Sequence, residues 1–319
     1  MRRRVMFGAA FVALLGAGAG VWRWRQRAGE PPSRPPVPRA ELLAATGPLV
    51  PPDGPLRVYH LGHSLVGRDM PAILAQMAGH EHASQLGWGA SLRNHWEDGE
   101  DIPGFATEND HARFVPAHEA MAGGQWDAVI LTEMVELRDA IRWHGSAHYL
   151  ARWIQAALAG NPDARLYLYE TWHRLDDAAG WLERIDTDLP ALWEGELLQG
   201  TMAWGAPAIH LIPGGQALAA AVRAAEAGDV PGLGHRHDFM ARAADGAVDP
   251  IHPGDAGNYL IAATHYSTLY HRPAPDPDGP VSDAAGRALD LAPATMAALR
   301  DIAWDVVQDT RGTGVAAGT

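Results

Sequence analysis

Asp249-Pro250-Ile251-His252-Pro253 places a carboxylate three residues before an imidazole. Far upstream, Arg57-Val58-Tyr59-His60-Leu61-Gly62-His63-Ser64-Leu65 runs a short apolar stretch into a glycine and a serine. A serine hydroxyl is a poor nucleophile until a base within about 3 Å takes its proton and a third group holds that base in the right tautomer. His252 has the chemistry of the base, Asp249 that of the orienting acid and Ser64 that of the nucleophile. The reaction implied is acyl transfer through a covalent acyl-enzyme that water then opens. Neither stretch is specific alone, since Asp-Pro and His-Pro-Gly are also turn signals and His252 is one of 16 histidines.

Such groups need a scaffold that brings them together. A serine where a parallel strand ends and a helix begins has its hydroxyl exposed and its backbone N–H directed into the crevice where α/β sheets bind ligands. Residues 56–61 read as that first strand and 69–80 as the following helix, with Asp69 as N-cap and Pro71 in the first turn. Apolar runs at 83–88, 126–132, 165–170 and 208–212 read as further strands. Helical patterns lie at 111–123, 146–160, 177–199, 216–227, 254–271 and 293–308. The near-continuous hydrophobicity of Trp126-Asp127-Ala128-Val129-Ile130-Leu131-Thr132 suits a strand buried on both faces. This alternation predicts an α/β fold: a three-layer flavodoxin-like sandwich with a five-stranded parallel sheet covered by helices on both faces.

Taken in this order, the two motifs resemble those of the SGNH/GDSL hydrolase superfamily. Its first block is Gly-Asp-Ser or Gly-Asn-Ser after the first strand, and its last is Asp-x-x-His, usually followed by proline. The resemblance spans residues 56–271. It implies a serine esterase with Ser64, His252 and Asp249 as triad, and an oxyanion hole that includes the N–H of Ser64 and of a glycine after the second strand. Gly89 is the choice for that glycine and Gly87 the reserve. Two positions depart from the pattern. His63 stands where the family carries Asp or Asn, a place for a hydrogen bond within the turn or for local packing. The family's side-chain amide after the third strand is missing, because the chain continues Leu131-Thr132-Glu133-Met134-Val135-Glu136. A carboxylate would oppose an oxyanion, so Glu133 must be protonated or turned away. Asn94, in Ser91-Leu92-Arg93-Asn94-His95-Trp96, is the candidate replacement.

Trp88, Trp96 and Trp172 are the tryptophans nearest the expected substrate cleft, while Trp126 and Trp153 read as core. Glu170-Thr171-Trp172-His173 ends the fourth strand on the rim that carries Ser64, a place either for lining the cleft or for packing. His235-x-His237-Asp238 and His80-x-His82 have metal-ligand residue types, but Gly234 and Arg236 point to a solvated loop or helix start. The expectation is of no metal and no cofactor.

The formal charge is −13, with no polybasic run beyond the first 30 residues, which excludes nucleic acid as a partner. There is no cysteine, hence no disulfide and no thiolate nucleophile, and no lysine to act as a base. Arg2-Arg3-Arg4 ahead of an apolar run from Val5 to Trp22 makes residues 1–27 a signal peptide or membrane anchor, with residues 5–22 as the segment that would hold the membrane. Proline-dense residues 28–55 read as an extended linker, 56–310 as the hydrolase domain and 311–319 as a disordered tail. The expectation is an exported, periplasmic or envelope esterase acting on a small-molecule or carbohydrate ester, with O-acetyl groups of a carbohydrate as the favoured substrate. Two alternatives remain open: a polysaccharide O-acyltransferase using the same triad, and a catalytically dead glycan-binding homologue.

Overall fold

Along the first strand, Val58 faces one side of a sheet and Tyr59 and Leu61 the other, and all three are fully buried. The same division continues in Ala128 and Ile130 against Val129 and Leu131, and in Tyr167 and Tyr169 against Leu166 and Leu168. Side chains alternate across a strand, so strands this apolar on both faces must lie between two layers. The computed structural model, which describes residues 34–97 and 101–316, has that arrangement. Strands β1 (Arg57–His63), β2 (Glu81–Gly87), β3 (Ala128–Leu131), β4 (Arg165–Glu170) and β5 (His210–Pro213) form a parallel sheet in the order β2-β1-β3-β4-β5. The helices Asp69–Ala78, Gly214–Ala227, Asp255–Tyr270 and Pro293–Asp309 cover one face, through residues such as Ile73, Leu218, Leu260 and Leu299. Ser146–Gly160 and the second half of a helical run over 181–203 cover the other, through Leu150, Trp153, Ile154 and Leu197. The expected three-layer fold and strand order are therefore found.

Several boundaries differ for identifiable reasons. Arg68, not Asp69, precedes the first turn of Asp69–Ala78, because the Asp69 carboxylate accepts the N–H of Ala284 instead. The helix expected over 111–123 begins only at Ala117. Pro116 precedes it, and Phe114 bridges to Ser84 on the open edge of β2. The run over 177–199 starts at Trp181 and widens to π turns over Leu189–Leu198.

Both ends of the domain need correction. Residues 34–55 are not a free spacer: Arg39–Ala45 is a helix whose Leu42 is buried, and Val37 N–H donates to Gln199 O. The C-terminal residues 311–316 are not a disordered tail. Leu211 of β5 donates to Gly312 O, Leu49 donates to Gly314 O, and Thr313 is buried. These two segments cover the outer edge of β5, which would otherwise present unpaired N–H and C=O groups. Residues 1–27, with the expected signal or anchor, lie outside the described residues, among which no helix is long and apolar enough to cross a membrane.

Candidate active site

β1 ends at His63, and the half-buried Ser64 opens the turn that follows. Gly62 is needed there, since a Cβ on it would stand 2.7 Å from the Cβ of Thr132. The turn is closed by Val66 N–H on His63 O at 2.9 Å and by Leu65 N–H on the His63 ring at Nδ1, 3.3 Å. With Nδ1 accepting, the ring proton sits on Nε2, which donates to Glu133 O at 2.9 Å. Burial pushes His63 down to about 4, so it is a neutral strut that ties the nucleophile turn to the end of β3. His63 thus makes the turn bond open to it at a position where the resembled family carries Asp or Asn.

Asp249 and His252 are not on a loop. They lie on β7 (Val248–Pro253), which pairs antiparallel with β6 (Met240–Arg242), a ribbon that the turn signals of Asp-Pro and His-Pro concealed. The His252 Nδ1–H donates to Asp249 Oδ2 at 2.9 Å, leaving Nε2 to accept from the Ser64 hydroxyl at 3.0 Å. Asp249 Oδ1 takes the backbone N–H groups of Ile251 and His252, each at 2.9 Å. Burial alone would raise the Asp249 carboxyl, but the backbone and ring N–H of His252 and the N–H of Ile251 outweigh it and hold the group below its ordinary value. The acid is therefore an ionised acceptor that fixes the imidazole tautomer.

The ribbon is tied to the end of β4. Leu175 N–H donates to Pro250 O at 2.7 Å, and the Trp172 indole N–H donates to Ile251 O at 2.8 Å. Trp172 is only 1% exposed, so it does not line a substrate cleft; it props the strand that carries the base. The rest of Glu170-Thr171-Trp172-His173 is buried as well. Glu170 accepts from Gln216, and burial pushes it up to about 8. Trp96 is also no free cleft wall. It packs edge-on to Trp153 at 4.7 Å, under the Arg152 guanidinium at 4.3 Å. Trp88 is 44% exposed, its indole N–H held by Glu108 at 2.7 Å.

Gly89 follows directly, with φ +59 in the turn between β2 and the helix Leu92–Trp96, a conformation that suits glycine. Gly87, the reserve, is buried, and a Cβ there would strike Ile102 at 2.1 Å. Asn94 completes a capping box with the N-cap Ser91: its Oδ1 accepts from Ser91 N and Oγ, while its own backbone N–H donates to Ser91 Oγ. Glu133 is fully buried, and its Oε1 accepts from Met134 N at 2.8 Å and Leu92 N at 3.3 Å. Burial pushes its carboxyl up to about 7 against those N–H groups. One oxygen of this carboxyl is thus engaged by two backbone donors.

One support had no signal in the sequence. Ala117 N–H donates to Gln85 Oε1, Gln85 Nε2–H to His95 Nδ1, and His95 Nε2–H to Gly62 O at 2.8 Å, two residues before Ser64. Only pairing β1 with β2 brings Gln85 beside that turn. Among the described residues no group of three His, Cys, Asp or Glu is placed to hold a metal. Asp238 instead accepts the N–H groups of Gly234 and His235.

No family model and no curated protein matches this sequence. Solved structures with similar chain paths include a GDSL-like lipase from Parabacteroides merdae, 13% identical over 68% of this chain and 96% of that chain, TM-score 0.40. A carbohydrate esterase family 3 protein from Talaromyces cellulolyticus is 17% identical over 68% and 97%, TM-score 0.34. A family two carbohydrate esterase from Clostridium thermocellum is 12% identical over 70% and 66%, TM-score 0.36. Likeness at these values supplies no residue roles, which rest on the geometry above.

Proposed function

We propose that this protein is an exported serine esterase of SGNH/GDSL type that hydrolyses a small acyl ester. The observation that carries this reading is the relay from Ser64 Oγ to His252 Nε2 at 3.0 Å and from His252 Nδ1 to Asp249 Oδ2 at 2.9 Å. In the first half-reaction, Ser64 Oγ attacks the ester carbonyl as its proton passes to His252 Nε2. The N–H groups of Ser64 and Gly89 meet the developing oxyanion. The carbonyl re-forms as the alcohol leaves with the proton from His252. Water, deprotonated by His252, then attacks the acyl-Ser64 ester and releases the acid. Asp249 stabilises the imidazolium in both halves without itself taking the proton.

The favoured substrate is an O-acetyl group on a carbohydrate. Half-exposed Trp88 beside Gly89, its indole N–H held by Glu108, offers an apolar ring of the kind that stacks on a sugar. Export rests on the arginines and apolar run of residues 1–22. Incubating the full-length chain with a fluorophosphonate probe, and separately with acetylated xylan, tests both levels of the reading. A Ser64 adduct and free acetate are expected. No adduct overturns the catalytic serine, and an adduct without acetate release overturns the carbohydrate. Acetate appearing on an added oligosaccharide, rather than in solution, points to the acyltransferase alternative.

A further inference from the structure

Beside β2, whose outer edge is bridged at Ser84 by residues 113–115, a cavity of about 590 Å³ opens between that strand, the helix Asp69–Ala78 and the segments 111–113 and 283–285. None of Ser64, His252 or Asp249 lines it. Its walls carry Arg68, Arg113, His80, His82 and His111. In a chain with a formal charge of −13 this is a local concentration of cationic and N–H-bearing side chains.

Three observations give the cavity a chemical character. Among the described residues, neither Arg68 nor Arg113 has an ion-pair partner. Each of the three histidines keeps one buried ring nitrogen without a hydrogen-bond partner, namely His80 Nε2, His82 Nδ1 and His111 Nε2. His80 is 8% exposed and its other nitrogen is engaged by the Tyr270 hydroxyl at 2.9 Å, while His111 Nδ1 accepts from Arg113 N. Buried polar atoms without partners are costly, and these three belong to residues that line one cavity. Two carboxylates share these walls: Asp283 is paired with Arg287 at 2.9 Å and accepts from Ala285 N, while Asp69 accepts from Ala284 N and has no ion-pair partner among the described residues.

We propose that this cavity is a second ligand site, separate from the triad, that binds a small anionic molecule through Arg68 and Arg113 with the three imidazoles as further donors. Planar guanidinium groups match the oxygens of a phosphoryl or carboxylate group, and the volume lies within the range of small-molecule sites. The groups are close enough to act on one another: the Arg113 charge adds to burial in lowering His82 to about 4, and the Arg68 charge adds to burial in lowering His111. At neutral pH His80 and His82 are therefore uncharged, and the two guanidiniums carry the positive charge offered to an anion. Sugar phosphates and sugar acids share the chemistry that these walls recognise.

The test is calorimetric titration of the full-length chain with glucose 6-phosphate, glucuronate and glucose, repeated on Arg68→Gln/Arg113→Gln. Both arginines are exposed, and an unchanged melting temperature checks that the variant folds; His82→Gln provides a second, single-site variant. At least one anionic sugar is expected to bind, glucose is not, and the double variant should lose tenfold or more in affinity. The tighter of the two anions tells phosphoryl from carboxylate recognition. No binding by either anion, equal binding by glucose, or affinity unchanged in both variants overturns the site. Because the readout is heat of binding, the outcome does not depend on Ser64 being a nucleophile.

Discussion

The indole N–H of Trp172 reaches the carbonyl of Ile251 at 2.8 Å, so a buried ring at the end of β4 fixes the residue beside His252. Trp172→Phe keeps an aromatic ring in the core but deletes that donor. It is expected to lower kcat on p-nitrophenyl acetate by about tenfold, or ~1.4 kcal/mol, with KM little changed and a stability loss of about 1 kcal/mol. Steady-state kinetics and urea unfolding check this. A loss confined to stability would make Trp172 a packing residue only.

Much of the scaffold was legible because strand periodicity and helix stops are local. Arg165–Glu170 and Ser146–Gly160 occupy the expected residues, and the fold class follows from the alternation of such elements. Ser64 and His252 were legible as residue types in short motifs, 188 positions apart. What surrounds them was not. The ribbon that carries Asp249 was hidden because Asp-Pro and His-Pro mimic turn chemistry. Trp172 and Trp96 looked like cleft walls because sequence shows which strand end a residue occupies and not what covers it. The 34–55 segment looked like a spacer because its proline content is local, whereas Leu42 is held by contacts made far along the chain.

That segment gives a prediction about stability. Leu42 is 2% exposed and belongs to the core on the face of Trp193 and Leu197. Leu42→Ala is expected to cost about 2–4 kcal/mol, read as a lowered urea midpoint, with kcat unaffected below the transition. A loss under about 0.5 kcal/mol, as for a surface change, would return 34–55 to the status of a spacer.

Glu133 sets a pH dependence of one sign. Burial raises its carboxyl from 4.5 to about 7, so the folded state holds a proton that the unfolded chain gives up. Its contribution to stability is fully present below 4.5 and is lost as pH rises through about 7. Glu133→Gln cannot ionise and keeps an oxygen for Met134 and Leu92. The melting temperature of the variant relative to wild type should therefore climb between those two pH values. A constant difference across the window contradicts the buried, proton-binding carboxyl.

His95 sets the opposite sign. Burial holds it at about 4 against an ordinary 6.5, so below 6.5 the unfolded chain takes up a proton that the folded one refuses. Its stabilising contribution is present above 6.5 and lost as pH falls through about 4. His95→Gln is expected to be less stable than wild type at neutral pH, and the gap should narrow on acidification. Urea midpoints for the pair across that range check it; a gap that widens would show that His95 takes a proton in the folded state.

The most direct measurement compares the full-length chain with Ser64→Ala in the hydrolysis of p-nitrophenyl acetate. With the hydroxyl 3.0 Å from His252 Nε2 and the ring held by Asp249, the wild type should turn over and the variant should lose about 10³-fold or more in kcat, with an unchanged melting temperature. Equal rates for the two proteins would contradict a nucleophilic Ser64, and with it the esterase.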